Sequence, residues 1–345
     1  MKALQKTQPA FGVELREVAP PKPPGAGEVL IEVGATGICG SDVHVCEWTG
    51  GYEFVAKAMP LTLGHEFAGR ITALGAGVTG LAPGARVTVL PSVVCGECPA
   101  CRAGDPDQCA NRVGLGMTKP GAFAPLVLAP AENCVPLPDS VDDELAALTE
   151  PLTVGARAVE VGGVAAGDRV LVLGPGTIGQ AIAIMAREAG AREITVVGRD
   201  DGPRIECLRS LGFDRVIDTK TEPLEAQLAR QGGAGFDVVF EAVGIAATLT
   251  QGLSLLRKGG VLVVAGIHPA PVTIDVTRMV RDQQQLRGTH RASRAIWERV
   301  VRLLAEKGPM IRPMITHRVP LDRAVEGFDL ARRKLASKVI VLPGG

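Results

Sequence analysis

The sequence has no excess of charge of either sign and no cluster of basic residues. Its 345 residues include 37 Lys or Arg and 37 Asp or Glu. Proteins that bind nucleic acid concentrate Lys and Arg on one surface, because the phosphate backbone is densely anionic. The balance of charge therefore argues against a nucleic-acid partner.

Long apolar segments are also missing. The first ten residues, MKALQKTQPA, lack the apolar core of a signal peptide, and the longest apolar run, 170–186, is interrupted by Gly-Pro-Gly. A membrane-spanning helix needs about 20 consecutive apolar residues. We therefore expect a cytoplasmic protein with no membrane span.

Repeats and low-complexity tracts are absent, and two patterns divide the chain. Up to about residue 150, short β-rich runs such as GEVLIEVGATGI are separated by Gly and Pro clusters. From about residue 165, Val- and Leu-rich runs alternate with amphipathic helical patterns, which indicates a parallel sheet covered on both faces. After about residue 290, RAIWERVVRLLAEKG is typical of a helix and KVIVLP of a last strand. The length favours two domains, and the fold class is α/β.

The second half contains a glycine pattern typical of dinucleotide binding. In VLVLGPGTIGQAIA, Gly174, Gly176 and Gly179 form G-x-G-x-x-G between a predicted strand and a predicted helix. The first glycine permits the tight turn, the second lets a pyrophosphate approach the backbone, and the third allows close helix–strand packing. The alternative is a glycine-rich turn without a ligand, but the strand and helix on either side favour a nucleotide.

Four of the eight cysteines lie in one loop. The segment CGECPACRAGDPDQC has the spacing C-x2-C-x2-C-x7-C, formed by Cys95, Cys98, Cys101 and Cys109. In a long chain without a signal peptide, clustered cysteines are more often metal ligands or free thiols than disulfides. Four thiolates suit a closed tetrahedral zinc site, which would hold the loop. An iron–sulfur cluster and four unrelated thiols are the alternatives.

Further potential metal ligands occur in three separate segments of the chain. CGSDVH contains Cys39, Ser41 and His44, LTLGHEFAGR contains His65 and Glu66, and Glu150 begins EPLTVGARA. Burying a histidine and a glutamate side by side without partners costs several kcal/mol, so a compensating group is expected. Together with the cysteine loop and GPGTIG, these motifs make the sequence resemble the zinc-dependent medium-chain dehydrogenase/reductase family, within the alcohol dehydrogenase superfamily. The resemblance is to the branch that contains sorbitol, butanediol and threonine dehydrogenases.

The resemblance covers nearly the whole chain and implies a domain plan. It implies a GroES-like catalytic domain over residues 1–152, a Rossmann cofactor domain over 153–289, and a C-terminal segment, 290–345, that returns to the catalytic domain. It also implies two zinc ions per chain, one structural and one catalytic. The catalytic ligands carried over are Cys39, His65 and Glu66, and Glu150 binds that zinc either directly or through its water.

The resemblance also implies an oxidoreductase mechanism. A catalytic zinc lowers the pKa of the substrate hydroxyl, and hydride passes to a nicotinamide. Ser41 matches the hydroxyl that takes the substrate proton, and His44 the imidazole that passes it on. A polyol substrate is favoured by Glu150 and by Trp48 and Tyr52, aromatic residues with polar tips. L-Threonine or another secondary alcohol is the alternative, and a nucleotide-binding protein that has lost its metal is the alternative from another class.

The residue at the end of the second strand of the cofactor domain indicates whether a dehydrogenase uses NAD or NADP. An acidic residue there accepts hydrogen bonds from the ribose of NAD, but this chain has Gly198 followed by Arg199. We therefore predict NADP, with NAD as the alternative if Asp200 or Asp201 meets the ribose. The predicted cofactor residues are Gly174, Gly176, Thr177, Ile178, Gly179, Gly198, Arg199 and Arg204.

The family usually assembles into oligomers, so we also predict a homodimer or homotetramer. The alternating run PVTIDV, residues 271–276, is predicted to be the exposed sheet edge that takes part.

Overall fold

The computed structural model describes residues 1–220, 222–230, 233 and 235–344. Strands of the first half are β1 (Lys2–Lys6), β2 (Glu14–Glu17), β3 (Glu28–Gly37), β4 (Leu61–Thr62), β5 (Glu66–Leu74), β6 (Arg86–Val89), β7 (Ser92–Val93), β8 (Val113–Gly114), β9 (Leu126–Pro130) and β10 (Cys134–Pro136). Helices of this half are α1 (Gly40–Glu47), α2 (Pro99–Arg102), α3 (Asp143–Ala146) and α4 (Thr149–Gly162).

The rest of the chain contributes eight strands and seven helices to the described structure. The strands are β11 (Arg169–Leu173), β12 (Glu193–Gly198), β13 (Val216–Asp218), β14 (Phe236–Glu241), β15 (Leu256–Val264), β16 (Gln285–Gly288), β17 (Ile315–Pro320) and β18 (Lys338–Leu342). The helices are α5 (Thr177–Glu188), α6 (Gly202–Ser210), α7 (Leu224–Ala229), α8 (Ala246–Leu255), α9 (Val276–Arg281), α10 (Arg294–Ile311) and α11 (Ala324–Arg332). Five short 3-10 segments cover Glu53–Ala58, Pro106–Gln108, Ala131–Asn133, Arg312–Met314 and Leu321–Arg323.

The first half is organised around a seven-stranded sheet. Its order is β10-β6-β5-β3-β18-β17, with β9 also paired to β3. The last two strands come from the C-terminus: β18 pairs antiparallel with β3 and parallel with β17. The end of the chain therefore completes the sheet that the first half begins, and it brings Lys338 next to the end of β3.

The second half is a six-stranded parallel sheet in the order β13-β12-β11-β14-β15-β16. Alternate residues of β11 enter different cores: Val170 and Val172 pack in one cluster, and Leu171 and Leu173 in the cluster on the opposite face. Helices therefore cover both faces, as the continuous apolar strands predicted. This strand order is that of a doubly wound nucleotide-binding fold, so the predicted α/β class is confirmed.

The predicted domain boundary at residue 152 falls inside α4, which runs without interruption from Thr149 to Gly162. One sequence-based detail differs from the structure. The predicted edge strand at 271–276 is wrong: residues 271–275 form no strand, Val272 and Ile274 pack against the core, and α9 begins at Val276. The edge strands of the parallel sheet are β16 and β13. No helix among the described residues is long and apolar enough to cross a membrane.

Candidate active site

Three potential metal ligands meet where β3 ends and β5 begins. Cys39 is the residue before α1, and Glu66 begins β5, where it pairs with Gly37. One ligand atom from each of Cys39, His65 and Glu66 lies within 4.8 Å of the other two. The antiparallel pairing of β3 with β5 thus places side chains that are distant in sequence into one cluster, which we call the Cys39 cluster.

Glu66 is compensated by a buried lysine. Its Oε2 lies 2.5 Å from Lys338 Nζ, which also donates to the Ile38 carbonyl at 2.9 Å. Gly37 leaves the space for this carboxylate, because a Cβ there would lie 2.2 Å from the same oxygen. The other oxygen, Oε1, is buried without a hydrogen-bond partner. Since an unpaired buried carboxylate oxygen is costly, the cluster has unused capacity for a cation.

His65 lies between Ser41 and Asp42. Its Nε2 is 3.4 Å from Ser41 Oγ, and its Nδ1 is 3.5 Å from Asp42 Oδ1 without a hydrogen bond. The other Asp42 oxygen accepts the Cys39 backbone N–H at 3.0 Å. Burial would lower the pKa of His65, but Asp42 and Cys39 outweigh it and raise the pKa well above its ordinary value. Asp42 is therefore placed to orient the imidazole, as carboxylates beside metal-binding histidines do.

The donor set of the Cys39 cluster fits zinc. One thiol, one imidazole and one carboxylate are the mixed ligands of open zinc sites, in which a further position is left for substrate. Burial and the Glu66 charge raise the pKa of Cys39, so the chain alone disfavours the thiolate. A divalent cation would stabilise that thiolate and would also satisfy Glu66 Oε1.

Glu150 stands beside this cluster rather than within it. It lies in the first turn of α4 and is partly buried. Desolvation is the main cause that raises its pKa to about 7, with an opposing effect of His65 and a further increase from Glu66. Its carboxyl group is thus close enough to feel both ligands, while the group of three within 4.8 Å does not include it.

The four cysteines of the loop also come together. Their sulfur atoms all lie within 4.8 Å of one another, with Cys95 Sγ 3.6 Å from Cys109 Sγ and 4.0 Å from Cys101 Sγ. Four ligands about 2.3 Å from a tetrahedral zinc would be about 3.8 Å apart. Backbone N–H groups of Cys101 and Ala110 lower the pKa of Cys98 to about 6. This geometry fits a closed zinc site.

The side chains assigned to proton transfer and substrate contact differ in their placement. His44 is exposed, its Nδ1 lies 3.0 Å from Thr49 Oγ1, and its ring stacks on Tyr52 at 5.6 Å. Burial, followed by the Cys39 charge, raises the pKa of Tyr52 to about 12, which places the phenol near the cluster. Trp48 instead is half-buried against the core, and the centroid of its ring lies 5.5 Å from Lys6 Nζ. Trp48 therefore has a structural role that accounts for its presence.

The glycine motif lies at the carboxyl edge of the parallel sheet. Gly174 follows β11 with a φ of +115°, and a Cβ on Gly179 would lie 1.8 Å from the Gly174 carbonyl oxygen. Thr177 begins α5 and donates its hydroxyl to Ser337 O at 2.9 Å, while Ile178 packs against the core. The backbone N–H groups at this helix start are free to bind an anionic pyrophosphate.

Close packing against Pro175 explains why the last residue of β12, Gly198, is a glycine. A Cβ on Gly198 would lie 2.8 Å from Pro175 Cγ. Asp200 pairs with Lys220 at 2.6 Å, and the buried Asp201 lies 3.4 Å from Arg204 and 3.6 Å from Lys334. Both carboxylates that could have met a ribose are thus engaged with cations.

Arg204 and Arg199 differ in how much of each side chain is free. Arg204 donates to the Ala336 and Ala331 carbonyls as well as to Asp201. Its Nη1 nevertheless lies 3.9 Å from the position of a Cβ on Gly176. Arg204 therefore mainly joins α6 to the C-terminal segment, whereas Arg199 is exposed and available.

Sequence analysis missed the roles of two buried charged residues, Asp42 and Lys338. Both are essentially inaccessible to solvent, at 0% and 1% exposure. The only signal for Lys338 is a lysine at the start of the apolar strand KVIVL. Its partner, Glu66, begins a strand at the other end of the chain, so only the fold reveals the pair.

A metal-ligand cluster beside a nucleotide-binding sheet defines a class of metal-dependent dehydrogenases. Residues 25–139 match the family described as the alcohol dehydrogenase GroES-like domain, and residues 177–306 match the family described as zinc-binding dehydrogenase. The chain is 35% identical over 347 residues to an L-threonine 3-dehydrogenase of Rhizobium johnstonii, covering 99% of this chain and 98% of that protein.

Two further proteins are similar over the same length. A sorbitol dehydrogenase of Halalkalibacterium halodurans is 36% identical, with 99% of each chain covered. The structure of a Sinorhizobium meliloti protein bound to NADP superimposes with a TM-score of 0.89 at 31% identity, again over 99% of each chain. The chain therefore belongs to the zinc-binding alcohol dehydrogenase family, and it is an oxidoreductase.

Proposed function

We propose that this chain oxidises a secondary hydroxyl group of a polyol with NADP, using a catalytic zinc at the Cys39 cluster and a structural zinc in the cysteine loop. The observation that carries the proposal is the cluster itself: a thiol, an imidazole and a carboxylate with an unpartnered buried oxygen. Zinc, when bound, supplies Lewis-acid polarisation of the substrate hydroxyl.

The residues around the cluster transfer the substrate proton or position the metal ligands. Ser41 Oγ, next to His65, accepts the substrate proton and transfers it towards solvent. His44 is exposed and bonded to Thr49, so it can pass the proton onward. Asp42 fixes the ring of His65, and Lys338 holds Glu66. The glycine motif at the start of α5 would hold a nicotinamide cofactor, which would accept the hydride from the substrate carbon.

The choice of a polyol as substrate depends on the side chains beside the Cys39 cluster. The Tyr52 ring offers an apolar face, and the Glu150 carboxyl group offers hydrogen bonds to a polyhydroxylated chain. L-Threonine is the second candidate, and the 35% identity to a threonine dehydrogenase favours it. Initial rates over hexitols, vicinal diols, L-threonine and simple alcohols test the choice. A kcat/KM for L-threonine above that of every polyol would reverse it.

NADP is proposed over NAD because the two aspartates after β12 already have cationic partners, while Arg199 is exposed. Lys220 pairs with Asp200 and Lys334 lies 3.6 Å from Asp201, which leaves the Arg199 guanidinium to bind a phosphate. An arginine guanidinium binds a 2′-phosphate through charge-assisted bonds. Replacing Gly198 by Asp is a poor test, because any side chain there meets Pro175.

Arg199→Leu is the sharper experiment. We expect kcat/KM for NADP to fall roughly tenfold or more while that for NAD changes little. Arg209→Leu, which removes an exposed arginine at the far end of α6, is the matched control. A wild-type enzyme that prefers NAD tenfold would overturn the assignment.

Assembly into a dimer or tetramer is also proposed, with β16 in place of the discarded 271–276 segment. The outer edge of this strand is unpaired among the described strands, and Leu286 on it and Val280 on α9 are exposed. Exposed strand edges favour pairing with a second copy. Light scattering that finds only a 35.9 kDa species would exclude it. A cytoplasmic location stays a prediction.

A further inference from the structure

A buried carboxylate, that of Glu241, joins two loops at the carboxyl edge of the parallel sheet. Glu241 is the last residue of β14 and is inaccessible to solvent. Its Oε1 accepts the backbone N–H groups of Val243 and Gly244, at 2.9 and 2.8 Å, and the Thr248 hydroxyl at 2.7 Å. The segment after this strand, residues 242–245, is therefore folded around the carboxylate. We call it the β14 loop.

The other oxygen of Glu241 reaches the segment after β15, residues 265–268, which we call the β15 loop. Glu241 Oε2 lies 3.1 Å from Nε2 of the largely buried His268. The carboxylate accepts, so the imidazole donates. The Glu241 carbonyl also accepts the N–H groups of Ala265 and Gly266, at 2.8 and 3.0 Å. Within the described part of the chain, His268 is the only side chain that hydrogen-bonds Oε2.

The two loops pack directly against one another. A Cβ on Gly266 would lie 2.7 Å from Glu241 Oε2, and a Cβ on Gly244 would lie 2.4 Å from the Ile267 carbonyl oxygen. Without His268, the β14 loop keeps its three hydrogen bonds to Oε1, whereas Oε2 would be buried without a side-chain donor. His268 therefore fixes the β15 loop, which carries Ile267.

Both loops present apolar side chains to solvent. Val243, Ile245 and Ile267 are 47%, 49% and 57% exposed. Val243 borders the glycine motif, because a Cβ on Gly174 would lie 3.0 Å from Val243 Cγ2. Exposed apolar side chains that gather beside a binding motif are typical of a surface that a ligand covers.

The strand order indicates which half of the cofactor meets this surface. A doubly wound sheet binds a dinucleotide where the strand order reverses, which is between β11 and β14 in this chain. The pyrophosphate belongs at the start of α5 and the adenosine ribose at the end of β12, on the other side of β11 from β14. The nicotinamide half is thereby left to the side of β14 and β15, where the two loops lie.

We propose that His268 is a positioning residue for hydride transfer: through its hydrogen bond to Glu241, it holds Ile267 where this apolar side chain supports the nicotinamide ring. The inference rests on the proposed dehydrogenase function. The imidazole acts through the β15 loop and not on the reacting atoms. A ring held in one orientation presents its reactive carbon to the substrate, and a small displacement slows the transfer.

A purely structural role is the competing explanation. Oε2 of Glu241 is buried, so its donor would then serve only the stability of the parallel sheet. Loss of His268 would lower the melting temperature and would weaken the binding of both halves of the cofactor alike. Two ligands separate these explanations, because 2′,5′-ADP occupies only the adenosine half of the site and NADPH occupies both halves.

The test measures dissociation constants of NADPH and 2′,5′-ADP for the zinc-loaded wild type, His268→Leu and His268→Gln. In His268→Leu we expect NADPH affinity to fall by roughly tenfold, the loss typical of one charge-assisted hydrogen bond, while 2′,5′-ADP affinity stays within about twofold. The kcat of this variant should also fall. His268→Gln keeps a donor at a similar position and should recover most of the NADPH affinity. His317→Leu, which removes a histidine bonded to Thr316 on β17, is the matched control.

The other outcomes would overturn the inference. Unchanged NADPH affinity in His268→Leu would show that the nicotinamide ring does not depend on His268. Equal losses for NADPH and 2′,5′-ADP, with a lower melting temperature, would assign the Glu241–His268 pair to the stability of the sheet. Both results leave the proposed function standing. If the wild type prefers NADH, then NADH and 5′-AMP serve as the pair of ligands. A wild type that binds neither reduced cofactor would refute the proposed function, and the inference with it.

Discussion

The cysteine loop takes its four potential ligands from residues 95–109, whereas the three residues of the Cys39 cluster come from residues 39–66 and are flanked by Glu150 and Lys338. In the loop, backbone N–H groups lower the pKa of Cys98 to about 6 and also lower that of Cys109, whereas burial raises the pKa of Cys101 to about 12. In the cluster, burial raises the pKa of Cys39, and the compensating charges are themselves buried. The loop thus takes its four sulfur atoms and the backbone N–H groups that stabilise two of them from one short segment, while the cluster depends on side chains from distant parts of the fold.

This contrast predicts that substitutions in the cysteine loop and in the Cys39 cluster have different consequences. A closed four-sulfur site contributes folding energy and leaves no position for substrate, whereas an open site serves chemistry. Variants in the cluster should therefore change turnover, and variants in the loop should change stability.

The largest expected effect is that of His65→Ala on turnover. We expect kcat to fall by about a thousandfold or more, because the imidazole is one of three potential ligands. The glycine motif proposed to bind the nucleotide lies on a separate sheet, so binding of the proposed cofactor NADPH, measured by fluorescence, should persist. Retention of more than about a tenth of kcat would remove His65 from the metal site.

The second effect tests the buried charge pair that supports the cluster. In Lys338→Met, Glu66 keeps its charge without its partner, and the free energy of unfolding should fall by about 3–5 kcal/mol. Lys338→Arg should recover part of the loss. Lys307→Met breaks the more exposed pair with Glu188 and should cost less than about 1 kcal/mol in the same denaturant titration. Equal costs for the two pairs would contradict the role given to Lys338.

The third effect belongs to the cysteine loop. Cys98→Ser should lower the melting temperature by several degrees while the remaining folded enzyme keeps its kcat. Cys134→Ser, which changes a buried thiol outside both clusters, controls for the substitution itself. If Cys98→Ser instead removed activity and left the melting temperature unchanged, the roles of the two regions would be exchanged.

The smallest expected effect is that of Glu150 on the pH dependence of the free energy of unfolding, measured in zinc-free protein. Burial raises its folded pKa from 4.5 to about 7, so the folded state binds the proton more tightly than the unfolded state does. Its contribution to stability is therefore complete below pH 4.5 and is lost as the pH rises to about 7. Glu150→Gln should flatten the pH dependence of unfolding in this window. An unchanged profile would show that the carboxyl group is solvated.

Sequence analysis predicted the features of this fold that are local in the chain. The G-x-G-x-x-G turn and the four-cysteine loop each lie within 15 consecutive residues, and the apolar strands 170–173 and 261–264 are unambiguous. The Lys338–Glu66 pair could not be predicted, because it depends on β18 pairing with β3. The run at 271–276 alternates as a strand does, but Val272 and Ile274 instead cover the core beside the sheet.

Metal analysis of the wild type and of two single variants tests the central claim, that one region holds a structural zinc and the other a catalytic one. The account predicts two zinc ions per chain in the wild type and one in each of Cys39→Ser and Cys98→Ser. The ion that remains in Cys39→Ser should accompany a normal melting temperature without turnover. One zinc in the wild type, or a fully active Cys39→Ser with a single zinc, would show that the Cys39 cluster does not hold a catalytic zinc.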